Sequence, residues 1–189
     1  ASSSAAGCAR WWRPDATTVH ILPHWNWPNR VGKNVPVFVY TNGDEAELFL
    51  NGESLGKRRK GDLPAGSTGE DYYDVTYRYR LRWDEVAYHP GELKAVAYKD
   101  GRKIGEAAVE TTDAPARLHL SADRGTVAAD GEDLVFVTVS ALDAEGRPHP
   151  LAQDLVFFEV EGPGQIEAVG NGNPLSFEPF RADRRQLFY

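Results

Sequence analysis

From Val35 onward, apolar positions come in short runs punctuated by Gly, Pro, Asn and Asp, the pattern of β-strands joined by tight turns. The string Val35-Pro36-Val37-Phe38-Val39-Tyr40 is β-branched and aromatic throughout. It predicts a central strand buried on both faces, with Pro36 near its start, where a missing N–H is tolerated. Residues 47–50 predict a second strand, and Asn51-Gly52 reaches positive φ easily, so a two-residue hairpin onto residues 53–56 follows. Farther on, Tyr73, Val75, Tyr77, Tyr79, Leu81 and Trp83 alternate with Asp74, Thr76, Arg78, Arg80, Arg82 and Asp84. That period of two predicts a strand with one apolar and one wet face. Turn residues His89-Pro90-Gly91 and Lys99-Asp100-Gly101 bracket a strand at 93–98 and return the chain through 102–110.

Asp113-Ala114-Pro115 reads as a joint, because proline restricts its predecessor to extended geometry and cannot donate to a ladder. Beyond it, residues 117–121, 134–142, 155–160 and 165–169 predict strands, separated by Asp130-Gly131, Glu145-Gly146, Pro163-Gly164 and Asn171-Gly172. Nowhere do apolar residues recur at helical spacing for ten residues, which excludes a helical bundle and alternating βα units. The expected fold class is all-β: two tandem immunoglobulin-like β-sandwiches at 17–113 and 114–189, after a leader of Ala, Ser and Gly over 1–16. Such a sandwich needs about seven strands and about 100 residues. The stretch from Pro115 onward has 75 and ends in apolar Leu187-Phe188-Tyr189, so the second sandwich is expected to be truncated at its carboxy-terminus, with core exposed beside an open edge.

Composition narrows the partners. Among 189 residues, 21 basic and 28 acidic side chains leave a formal net charge of -7, a field that repels phosphate backbones and anionic lipid. No nucleic acid or membrane partner is expected. The longest apolar run, residues 35–40, falls far short of the about 20 residues of a spanning helix. A single cysteine, Cys8, cannot form an internal disulfide. The absence of methionine suggests a processed product or a piece of a longer polypeptide. The tetrad Ala5-Ala6-Gly7-Cys8 resembles a lipoprotein cleavage site but lacks an apolar segment before it. Absence of disulfides fits cytoplasm and periplasm alike, so cysteine usage leaves the compartment open, with a periplasmic or secreted setting preferred.

No catalytic constellation, metal site or cofactor motif is recognisable. His20 and His24 are separated by Pro23, and in extended chain their Cα atoms stand about 13 Å apart, too far to share an ion. Asp44-Glu45 with Glu47, Glu70-Asp71 with Asp74, and Glu132-Asp133 fall in turns or on wet faces, where carboxylates are ordinarily solvated. The cluster Lys57-Arg58-Arg59-Lys60 reads as a charged edge that blocks sheet-to-sheet association. The informative segment is His24-Trp25-Asn26-Trp27-Pro28. Extended, it places Trp25 and Trp27 on one side, a pair of indoles suited to the C–H face of a sugar. The competing reading is that these rings pack into a core.

The string His20 to Pro28, with Val35-Pro36-Val37-Phe38-Val39-Tyr40-Thr41-Asn42, Ala46-Glu47-Leu48-Phe49-Leu50-Asn51-Gly52-Glu53-Ser54-Leu55-Gly56 and Pro90-Gly91-Glu92-Leu93-Lys94-Ala95-Val96-Ala97-Tyr98, resembles the region after the catalytic barrel in bacterial family 2 glycoside hydrolases of the β-galactosidase type. Ala122-Asp123-Arg124, Asp130-Gly131-Glu132-Asp133-Leu134 and Gly170-Asn171-Gly172-Asn173-Pro174 resemble the following, invasin-like module of those enzymes. The resemblance implies a non-catalytic accessory region with no cofactor. Its partner would be a (β/α)₈ barrel, in cis or as a separate chain, and galactosides would be the ligands. His24, Trp25 and Trp27 would help line the sugar pocket, Trp25 foremost. An independent carbohydrate-binding module and a cell-surface adhesion domain are the alternatives.

Overall fold

A computed structural model describes residues 16–63, 67–68, 77 and 79–188, and they divide into two compact units, one ending at Thr111 and the other beginning at Thr112. The described residues form eleven strands and a single 3-10 turn at Pro28–Arg30, and no helix among them is long and apolar enough to cross a membrane. All strand pairs are antiparallel.

In the first unit, β1 (Val19–Leu22), β2 (Asn34–Thr41) and β5 (Leu81–Ala87) form one sheet with β2 in the middle. The second sheet has the order β4 (Glu53–Arg59), β3 (Glu45–Leu50), β6 (Glu92–Lys99), β7 (Arg102–Glu110). Local chemistry sets both hairpins of this sheet. Asn51 and Gly52 take positive φ and join Leu50 to Glu53, and Asp100 and Gly101 do the same between Lys99 and Arg102. Ile21, Val35, Val37, Val39, Leu81 and Trp83 from one sheet face Ala46, Leu48, Leu93 and Ala95 from the other, which makes the sandwich core.

Strand β2 corrects the expectation of two buried faces. Val35, Val37, Val39 and Thr41 are buried, but Pro36 is exposed and Phe38 and Tyr40 are half-buried. The outer face is covered by cations instead of a second apolar layer: the Arg80 and Arg82 guanidiniums stand 4.6 and 5.4 Å from the Phe38 ring centre. Pro36 lies where the β2–β5 register shifts, opposite exposed Asp84 and Glu85, so the residue without an N–H falls at a bulge. Of the strand expected over residues 73–84, positions 81–84 belong to β5 and Tyr77 and Tyr79 are in turns; positions 69–76 and 78 lie outside the described residues.

The second unit holds two separate ladders, β8 (Arg117–Ala122) with β9 (Val137–Leu142) and β10 (Leu155–Phe157) with β11 (Arg184–Gln186). Residues 165–169, expected as a strand, form none, and β11 falls where the sequence pattern predicts no strand. Arg185 of β11 is buried and donates to the carbonyl oxygens of Val169 (2.6 Å), Pro179 (2.7 Å) and Glu178 (3.1 Å). A planar guanidinium with five donors can gather three loop carbonyls that no ladder satisfies, so a cation occupies a position where alternation would place an apolar residue.

Candidate functional site

The segment between β1 and the 3-10 turn, residues 23–27, leaves the extended path after a cis Leu22–Pro23 peptide. Residues 23–27 are therefore not a strand, and the period-two argument that put Trp25 and Trp27 side by side does not apply. The two indoles take opposite fates.

Trp25 turns inward and is 0% exposed. Its ring meets Tyr88 edge to face, with centroids 5.1 Å apart and planes at 67°, and its N–H donates to the His89 carbonyl at 3.0 Å. Its carbonyl accepts the Thr111 hydroxyl at 2.6 Å. Having one proton, the Thr111 hydroxyl then receives the Gly91 N–H at 3.2 Å and, at 3.3 Å, the Tyr88 hydroxyl. Residue 25 is thus tied to the turn after β5 and to the end of β7. An indole with no accessible area has no face for a sugar, so the structure assigns Trp25 to the core and corrects its ranking as first sugar contact.

His24 and Trp27 are half-buried and stack on each other, with ring centroids 4.5 Å apart and planes within 20°. The Trp27 N–H donates to the His24 carbonyl at 3.0 Å, and the Asn26 backbone N–H donates to His24 Nδ1 at 3.1 Å. The second bond requires a lone pair on Nδ1, which places the proton of the neutral imidazole on Nε2. Trp27 also packs against the core cluster, and its carbonyl caps the 3-10 turn by accepting the Arg30 N–H at 2.9 Å. The result is a short aromatic stack held by three local hydrogen bonds and anchored by buried Trp25.

The other candidates have structural work. His20 pairs with Tyr40 across β1–β2, and burial holds its imidazole below the ordinary pKa. Strand β4, which carries Lys57, Arg58 and Arg59, stands at one end of its sheet among the described residues; Lys57 lies 4.0 Å from the Tyr98 ring centre. Lys60 donates to the Thr41 carbonyl, and burial lowers its pKa against the opposing pull of Asp44. Asp133 accepts the Ala128 N–H at 2.8 Å and pairs with Arg124 at 2.8 Å. Glu70, Asp71 and Asp74 lie outside the described residues.

The spacing of the sequence did not reveal one cluster. Asp113, Asp143 and Glu145 bring carboxylate oxygens within 4.8 Å of one another. Arg147 answers their charge, with Nη2 at 2.7 Å from Asp143, 3.3 Å from Glu145 and 3.6 Å from Asp113. Asp143 has no exposed side-chain surface. Burial pushes its pKa up, but the Arg147 N–H, the Arg147 guanidinium and the Asp113 N–H outweigh that and hold it below the ordinary carboxylate value. The trio fastens the loop after β9 with a cation from its own chain.

Two family models match the chain. Residues 32–105 match a domain of unknown function (DUF4982), and residues 118–189 match the glycoside hydrolase family 2 C-terminal domain 5. The β-galactosidase BoGH2A of Bacteroides ovatus is 40% identical over 176 residues, which are 93% of this chain and 19% of that protein. A putative β-glucuronidase of Formosa agariphila is 32% identical over 173 residues, 90% of this chain and 16% of that protein. Among solved structures, a glycosyl hydrolase family 2 member from Bacteroides cellulosilyticus superposes with a TM-score of 0.79 at 37% identity, covering 97% of this chain and 25% of that one. A β-glycosidase from Bacteroides vulgatus gives a TM-score of 0.77 at 32% identity, covering 92% and 20%. The chain spans between 16% and 25% of the length of these relatives. It belongs to the carboxy-terminal, all-β region of bacterial glycoside hydrolase family 2 proteins.

Proposed function

We propose that this chain is a non-catalytic accessory region that completes the sugar pocket of a family 2 catalytic barrel, with His24 and Trp27 as its contribution. The observation that carries this reading is the His24–Trp27 stack, half-buried at the end of β1 and fixed by hydrogen bonds of its own segment. Stacked aromatic rings offer a flat apolar wall for the C–H face of a pyranose, and the neutral imidazole brings a polar N–H edge to the same place. A wall held rigid before the ligand arrives loses little entropy on binding. Trp25 serves this indirectly, because burying its indole sets the position of the next ring along the chain.

The reading makes hydrolysis the work of the barrel and pocket shape the joint work of both parts. The relatives named β-galactosidase favour galactosides as the ligand class. In a full-length enzyme carrying this region, Trp27→Ala should raise KM for a nitrophenyl β-galactoside by about 3- to 10-fold, the equivalent of one aromatic contact, with a smaller change in kcat. An unchanged KM would refute the pocket role. The 189-residue chain by itself should release no nitrophenol, and calorimetry with galactosides should be silent. Saturable binding lost in Trp27→Ala would instead make it a free-standing carbohydrate-binding module.

A further inference from the structure

Two turns that the sequence marks separately are interlocked in the structure. The Asn51 side chain reaches from the β3–β4 hairpin to the bend after β5, 39 and 41 positions farther along the chain. Its Nδ2–H donates to the Pro90 carbonyl at 3.1 Å and its Oδ1 accepts the Glu92 N–H at 2.9 Å. The Asn51 backbone N–H completes the clasp by donating to the Glu92 carbonyl at 2.9 Å. Between them Gly91 has a φ of +134°, and a Cβ there would run into the Asn51 carboxamide, so glycine is required on both counts.

The hairpin itself does not need this side chain. A two-residue turn with positive φ takes Gly or Asp as well as Asn. Glycine has no amide to offer the bend, however, and an aspartate carboxylate cannot donate to the Pro90 carbonyl. The carboxamide therefore has a task of its own, and the bonds of the bend show what it is. Each carbonyl from residue 89 to 92 is taken: His89 by the Trp25 indole N–H at 3.0 Å, Pro90 by Asn51, Gly91 by the Thr111 N–H at 2.9 Å, and Glu92 by Asn51 again. Thr111 also bonds the Trp25 carbonyl directly, whereas Asn51 grips the bend on which the Trp25 indole is docked.

We propose that Asn51 is a positioning residue for the His24–Trp27 wall. By clasping residues 90–92 it holds the His89 carbonyl where the Trp25 indole meets it, and through Trp25 it fixes where the next ring along the chain stands. This rests on the pocket reading above and extends it to a hairpin of the other sheet. The clasp lies at the surface, so its loss loosens the bend and leaves the sandwich folded.

In a full-length enzyme carrying this region, Asn51→Gly keeps the turn and deletes the clasp. The expected result is a KM for a nitrophenyl β-galactoside raised about 2- to 5-fold with kcat nearly unchanged, a smaller effect than that of Trp27→Ala because the ring is displaced and not removed. On a Trp27→Ala background the same substitution should change KM by less than about 1.5-fold, since a residue acting through Trp27 has nothing left to position. Hydrogen exchange should accelerate about 3- to 10-fold at the amides of residues 24–30, where the Asn26 and Arg30 N–H groups are bonded, and less at β2. Gly43→Ala, which strains the far end of β3 against Tyr98 and leaves the bend untouched, should destabilise the unit without moving KM. If Trp27→Ala raises KM and Asn51→Gly does not, the inference is overturned and the pocket reading stands. An Asn51→Gly effect of equal size in both backgrounds, or one matched by Gly43→Ala, would overturn it as well. An unchanged KM in Trp27→Ala overturns the pocket reading and this inference with it.

Discussion

Replacing Trp25 tests whether its indole belongs to the core or to a ligand. Trp25→Ala removes a fully buried ring, its edge contact with Tyr88 and the donor to the His89 carbonyl. A large buried aromatic truncated to alanine costs about 3–5 kcal/mol, and a buried carbonyl left unpaired adds about 1–3 kcal/mol. Small domains are stable by only about 5–15 kcal/mol, so this variant should bring the first unit close to unfolding. Trp25→Phe keeps most of the ring and loses the N–H, and should cost about 1–3 kcal/mol. Trp27→Ala, at a half-buried ring, should cost about 1 kcal/mol. Two units need not unfold together, so urea-dependent hydrogen exchange at β2 and β6 amides is the suitable assay; it reads the first unit alone. A Trp25→Ala protein within about 1 kcal/mol of the parent would refute the core assignment. So would the reverse ranking of the two tryptophans.

The remaining contacts are testable in the same way. Thr111→Val removes the hydroxyl that joins the Trp25 carbonyl, the Gly91 N–H and the Tyr88 hydroxyl, and should lower the urea midpoint of the first unit by the equivalent of about 1–3 kcal/mol. Gly43→Ala would set a Cβ 2.4 Å from the Tyr98 carbonyl oxygen, a backbone atom, and should destabilise by about 1–3 kcal/mol in thermal melts. Asp143 has a depressed folded pKa, so its contribution is complete above its unfolded value of 3.8 and disappears as pH falls through the folded value. Protection of β9 amides, taken relative to their intrinsic exchange at each pH, should therefore fall below about pH 4, and Asp143→Asn should flatten that acid limb. Arg147→Met leaves three carboxylates without their cation and should destabilise the second unit, with partial recovery as pH falls and they take up protons.

Several elements were legible because their causes are local. Asn51-Gly52 and Asp100-Gly101 reach positive φ whatever surrounds them, so both hairpins could be read from four residues. Leu81 and Trp83 point inward and Arg82 and Asp84 outward, as their alternation requires. The aromatic segment was also legible as a special place, since two tryptophans and a histidine within four residues occur nowhere else in the chain. What failed was the assumption of extended geometry. Residues 23–27 turn, and the turn divides the indoles between core and surface. Strand β11 and buried Arg185 were illegible for a related reason. Asp183, Arg184 and Arg185 in succession look like solvated loop, and the carbonyls that draw Arg185 inward lie 6 to 16 positions away.

By itself the sequence determined the all-β class, the hairpin turns, the absence of helical repeats and the segment where aromatic chemistry concentrates. These depend on φ preferences and side-chain periodicity, which act over a few residues. Only the tertiary structure decided that Trp25 is buried and Trp27 half-buried, that arginines cover the outer face of β2, and that Arg147 meets three carboxylates. The decisive partners, Thr111 for Trp25, Phe38 for Arg80 and Asp113 for Arg147, lie 34 to 86 positions away and are brought together by folding that no local preference encodes.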